Sequence, residues 1–164
     1  MKLLFTGAHP EEVRKEPLRE KCRKDLERAY RGCWDQHTQP YDDIPLLLDE
    51  FESRKLKLTD VSNKAHEFTL LAVKQLLPNW EFELVLGQRE GIPRKPNPAG
   101  MINICKQLKI PANSFLYLGD TATDMKTAKS AGCFPVGVLW GFRPEKELRE
   151  NGDRKSTRLN SSHW

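Results

Sequence analysis

Two carboxylates, Asp120 and Asp124, follow a short apolar run from Phe115 to Leu118 and a glycine, Gly119. Such a run breaking into glycine reads as a buried parallel strand that ends in a tight turn. The carboxylates then fall where a strand hands over to a helix, at the carboxyl edge of the sheet, where open α/β folds place their ligands. Spaced one helical turn apart, they are hard oxygen donors suited to Mg²⁺ and poorly suited to softer metals. The same residues also read as a turn aspartate followed by a helix-capping one. Two more polar positions stand at comparable places. Ser62 and Asn63 close another strand-like stretch, and Lys95 lies in the proline-rich loop from Pro93 to Pro98. Singly they read as a helix cap and a solvated loop lysine. Together they supply a hydroxyl and backbone amides for anionic oxygens, a fixed ammonium and a Mg²⁺ site, which can hold and transfer a phosphoryl group.

The elements that must position these groups follow from periodicity. Residues 11–38 are densely charged, with Val13, Leu18, Cys22, Leu26, Tyr30 and Trp34 at helical spacing, and Pro17 argues for a break near the start. A turn from Tyr41 to Pro45 enters a helix running to about Arg54. A short strand is expected over 55–61, with Asp60 awkward in it, then a helix over 65–77 closed by Pro78. A strand over 82–87, a polar loop over 88–98 and an amphipathic helix over 97–108 follow. The strand at Phe115, a helix over 122–131 capped by Gly132, a strand over 134–139 and a short last helix complete the order. This alternation predicts βαβ units: an α/β fold with a Rossmann-like parallel sheet and flanking helices.

Composition bounds the setting. The 164 residues suffice for one domain with a small appendage, and 38% hydrophobic and 30% charged content fits a globular protein. No apolar run approaches the roughly 20 residues of a membrane span, and the opening residues are too short for a signal peptide's apolar region. Cys22, Cys33, Cys105 and Cys133 are scattered, which favours reduced thiols and a cytoplasmic location. Residues 153–163 resemble an in-frame translation of a sequencing-library adapter; the other reading is a natural Ser-rich tail. Without them the formal charge falls from +4 to +2, giving no electrostatic case for a nucleic-acid partner.

Three stretches in order and spacing carry a resemblance. Val61-Ser62-Asn63-Lys64, Arg94-Lys95-Pro96-Asn97-Pro98 and Leu118-Gly119-Asp120-Thr121-Ala122-Thr123-Asp124 resemble the second, third and fourth motifs of the haloacid dehalogenase superfamily. Val136 to Phe142 is similar to the last strand and loop of its phosphoglycolate phosphatase group. The resemblance implies a Mg²⁺-dependent phosphomonoester hydrolase acting through an aspartyl-phosphate on a small phosphorylated metabolite such as phosphoglycolate. It implies that Ser62, with Asn63, binds the phosphoryl oxygens and that Lys95 neutralises the phosphorylated intermediate. Asp120 would ligate Mg²⁺ directly, and Asp124 would support it through water or a lysine. Residues 1–40 would be part of a helical cap closing over the substrate, 41–152 the α/β core and 153–164 a disordered tail.

The family's first motif, Asp-x-Asp-Gly-Thr after an apolar strand, supplies the nucleophile and the acid/base. No carboxylate precedes Glu11 to match it. The resemblance therefore implies an N-terminally truncated, inactive chain. In the family the first strand lies between the strands ending here at Ser62 and Asp120. Its loss would leave two edges unpaired, or force them together, and lower stability. Two other readings stand beside this one: a non-catalytic phosphate- or metal-binding module, and a fragment of a phosphomutase of the same superfamily.

Overall fold

The computed structural model describes residues 16–36 and 38–157, so the expectations for Val13 and for residues 158–164 lie outside it. The chain divides into two compact units, residues 1–39 and 40–164.

In the first unit, helix α1 (Glu16–Arg31) carries the charged stretch. Pro17 sits in its first turn, where the missing N–H has no intrahelical partner to lose, so no break falls inside the helix. The helix also stops before Thr38. Cys33 and Trp34 both donate their N–H to Tyr30 O, at 3.1 and 2.9 Å, and turns follow through Gln36. Trp34 is buried, while Arg23 bridges exposed Glu20 and Glu27 along the helix surface.

In the second unit, α2 (Ile44–Ser53) takes Pro45 in its first turn as expected and buries Leu47 and Leu48. Then come β1 (Leu58–Ala65), α3 (His66–Leu76), β2 (Phe82–Gln88), α4 (Ala99–Leu108), β3 (Leu116–Gly119), α5 (Ala122–Ala131), β4 (Phe134–Gly137) and α6 (Glu145–Glu150). Gly132 closes α5 in the left-handed conformation (φ 83°). The first strand begins three residues later than expected, because Lys55 (φ 56°) still turns the chain out of α2. It also runs on past Ser62, with a register irregularity between Val61 and Ala65.

The strands are parallel and flanked by helices, as the α/β reading requires, but among the described residues they form two sheets. Strand β1 pairs with β2 and β3 pairs with β4. The other edges of β1 and β3 have no partner strand among the described residues, and residues from both line one groove of about 790 Å³. Helix α4 and a shared core hold the sheets together: Leu86, Met101, Ile104, Tyr117, Ala128 and Cys133 form one buried cluster. Ile104 is fully buried, a side chain whose burial contributes about 1.5–3 kcal/mol.

Residues 153–157 depart from the expectation of a disordered tail. Asp153 Oδ1 accepts the N–H of Gly137 (2.8 Å) and of Lys155 (2.9 Å), which turns the chain back along β4. Leu139 N–H then donates to Thr157 O (2.9 Å), and Thr157 N–H to Gly137 O (2.8 Å). Backbone groups left unmet at the end of β4 explain why this charged segment pairs there.

Candidate active site

The carboxyl ends of β1 and β3 meet around Lys95. The lysine is brought there by Asn63, whose Oδ1 accepts the Lys95 N–H (2.8 Å) and whose Nδ2 donates to the Lys95 carbonyl (3.1 Å). This reciprocal pair fixes the loop after β2 to the end of β1. It uses one of the two Asn63 Nδ2 hydrogens, so the side chain holds the loop and keeps a second N–H for an anion. Lys95 Nζ then donates to Asp124 Oδ1 at 2.7 Å, with both side chains largely buried.

Asp124 is held on its other oxygen as well. Thr121 Oγ1 donates to Asp124 Oδ2 (2.6 Å) and accepts the Asp124 N–H (3.2 Å), capping α5. The capping reading of Asp124 is therefore met by Thr121, which caps the helix while the aspartate faces the lysine. Gly119 allows the close approach, since a Cβ there would overlap the Asp124 side chain. Glu147 Oε1 takes the Ala122 N–H (3.1 Å) at the same helix end. Ser62 Oγ accepts the Lys64 N–H (3.1 Å), which leaves its hydroxyl hydrogen to donate. No side-chain cap from Ser62 reaches α3, whose N-cap is Ala65.

Asp120 stands at the end of β3, with Oδ2 accepting the Phe142 N–H at 3.4 Å. Ser62, Lys95, Asp120 and Asp124 all line the same groove. Asp120, with Asp124 behind it tied to Lys95 and Thr121, offers a sparse oxygen donor set that fits Mg²⁺, which keeps waters and binds through one or two carboxylates and phosphate oxygens. Among the described residues, no group of three or more His, Cys, Asp or Glu is arranged to hold an ion, so a closed protein cage is not what this site provides.

Asp60 was unforeseen as a site group. It lies in the groove wall two residues before Ser62. Burial raises its pKa; the Lys95 ammonium opposes that rise and the Asp124 carboxylate adds to it. Its only trace in the sequence was a charge in a strand that should be apolar. Tyr117, on β3, is also pushed upward, by burial first and then by Asp124 and Asp60. Of the aromatics beyond β4, Phe142 is 90% exposed, a loop residue, whereas Trp140 is half-buried.

Comparison with known proteins bears on this arrangement. The family described as haloacid dehalogenase-like hydrolase matches residues 5–138. The phosphoglycolate phosphatase of Aquifex aeolicus is 30% identical over 132 residues, which cover 80% of this chain and 62% of that protein. That of Thiobacillus denitrificans is 30% identical over 115 residues, 68% of this chain and 51% of that protein. The chain thus spans about half to three-fifths of these relatives' length. Among solved structures, a candidate phosphoglycolate phosphatase from Lactobacillus delbrueckii superposes with a TM-score of 0.79 at 28% identity, covering 92% of this chain and 62% of that one. A haloacid dehalogenase-like hydrolase from Streptococcus pneumoniae shares the fold, with a TM-score of 0.77 at 17% identity over 92% of this chain and 70% of that one. No helix among the described residues is long and apolar enough to cross a membrane. A parallel α/β scaffold with Ser62, Lys95, Asp120 and Asp124 gathered at its strand ends, together with the family match over most of the sequence, shows that the chain belongs to the haloacid dehalogenase-like hydrolases.

Proposed function

We propose that this chain is the phosphoryl-binding part of a Mg²⁺-dependent phosphomonoesterase acting on a small phosphorylated metabolite, phosphoglycolate being the first choice. The observation that carries the reading is the Lys95–Asp124 pair, held at the groove that Ser62 and Asp120 also line. In this reading the Ser62 hydroxyl donates its hydrogen to a phosphoryl oxygen while its oxygen accepts the Lys64 N–H. Lys95 places its ammonium against the transferring group, steered by Asp124 and by the Asn63 clamp on its backbone. Asp120 would hold Mg²⁺, which when bound supplies charge stabilisation for the phosphoryl oxygens. The catalytic contribution is positioning and electrostatics, as phosphoryl transfer requires. The relatives named phosphoglycolate phosphatase support the substrate class.

Asp-x-Asp-Gly-Thr is absent from the sequence. We infer that these 164 residues alone do not turn over, because no carboxylate nucleophile in that arrangement is present to form the acyl phosphate. Phosphate release from phosphoglycolate with Mg²⁺ tests both statements. The chain alone should stay at background. A chain preceded by a strand bearing Asp-x-Asp-Gly-Thr should hydrolyse the ester and lose that activity with Lys95→Ala. Turnover by the chain alone contradicts the inferred inactivity, and a silent extended chain contradicts the phosphatase reading.

A further inference from the structure

We propose that Gly141 is a positioning residue for Asp120: the loop after β4 uses the missing Cβ of this glycine to seat the carboxylate and turn one of its oxygens toward the groove. The inference rests on the reading of Asp120 as the Mg²⁺ ligand.

Gly141 lies flat against Asp120. A Cβ built on it would overlap Asp120 Cβ, Cγ and Oδ2 together, so the whole side chain packs on the glycine backbone rather than touching it with a mobile tip. The next residue then donates its N–H: Phe142 N reaches Asp120 Oδ2 at 3.4 Å. One carboxylate oxygen is thereby turned into the loop, and the other is free to face the groove. The Gly141 φ lies outside the left-handed region, so alanine would fit the backbone there without strain. What the position requires is the empty space beside Asp120. The Phe142 ring is 90% exposed, so burial of that aromatic does not hold the loop in place. The other acidic residue has a like arrangement, since Gly119 at the end of β3 leaves room for Asp124 in α5. Mg²⁺ demands near-ideal octahedral geometry, and partners that orient a ligating carboxylate commonly change metal affinity about 10–100-fold when removed.

The test is a Mg²⁺ titration of the full chain, read by the ¹³C shift of the Asp120 carboxyl carbon and by backbone amide shifts. In the wild type, Mg²⁺ should move the Asp120 carbon and the Phe142 amide together, with one saturation curve. Gly141→Ala should weaken Mg²⁺ binding about 10–100-fold, with the amide spectrum of β1 and β2 unchanged and inorganic phosphate binding unchanged when Mg²⁺ is absent. A folded Gly141→Ala that binds Mg²⁺ within about twofold of the wild type overturns the proposal. If that variant does not fold, the wild-type titration decides: an Asp120 shift with no response at Phe142 also overturns it. Absence of any Mg²⁺ response at Asp120 in the wild type removes the metal assignment itself, and this inference with it.

Discussion

Lys95 Nζ stands 2.7 Å from Asp124 Oδ1, joining residues 29 positions apart and tying the loop after β2 to the first turn of α5. With the lysine and aspartate side chains only 16% and 10% exposed, the pair is nearly dry. Removing one member leaves a buried charge alone, which costs about 3–5 kcal/mol, whereas replacing both with apolar groups is often neutral. Lys95→Ala should therefore lower unfolding stability by about that amount, and Lys95→Met with Asp124→Leu should recover most of it. Urea denaturation of the three chains checks this. A single variant as stable as the wild type would show that the contact is not made in solution.

The raised pKa of Asp60 has a definite sign. A carboxyl whose folded value lies above its unfolded value gives stability that is fully present below the unfolded value and is lost as pH rises through the folded one. At neutral pH the buried charge is thus a burden. Asp60→Asn should raise the melting temperature at pH 7, with the gain shrinking toward zero as pH falls below the ordinary carboxylate range. A gain that grows on acidification would contradict this.

Asp153 titrates in the opposite sense. Burial works to raise its pKa, but hydrogen bonds from Ser156, Gly137 and Lys155 outweigh it and hold the value below the usual range. Its contribution is present above the unfolded value and is lost as pH falls through the folded one. The amides of Gly137 and Lys155 should therefore lose exchange protection at acid pH before β1 and β2 do. Simultaneous loss would show that residues 153–157 do not form a separately acid-labile strap.

Tyr117 buries its hydroxyl near Thr127 without completing a well-formed hydrogen bond to any described residue. Deleting an unsatisfied polar atom removes a desolvation cost, so Tyr117→Phe should leave stability unchanged or raise it by up to about 1 kcal/mol. A loss above about 1 kcal/mol in chemical denaturation would mean that the hydroxyl has a partner.

Local signals were the legible ones. The helix from Ala122 to Ala131 and its glycine cap could be read from the sequence because a carboxylate turn at one end and a left-handed residue at the other act within a few positions. Ser62, Lys95 and Asp120 could be placed on one sheet edge because each is expected at a strand end or in the loop after one, although β1 runs on past Ser62. Other features depend on distant contacts. The Asn63 clamp spans 32 positions, and nothing near Asn63 announces that Lys95 will need its backbone held. The packing of Gly141 on Asp120 likewise exists only once β4 lies beside β3. The partition into two sheets is not encoded in strand-by-strand hydrophobicity; it is expected only through the family resemblance, which places a further strand between β1 and β3. Residues 153–157 read as part of a tail because residues 153–163 resemble a translated adapter, yet one aspartate at the right distance from Gly137 is enough to pin them.

The most direct measurement is the affinity of the chain for inorganic phosphate with and without Mg²⁺, combined with the amide shifts each ligand causes. If the hydroxyl, the ammonium and the carboxylates share one pocket, each ligand should tighten the other by the same factor. The shifts should then gather at Ser62, Lys95, Asp120 and Asp124. Phosphate and Mg²⁺ binding that are independent of one another, with shifts on separate faces, would contradict the account.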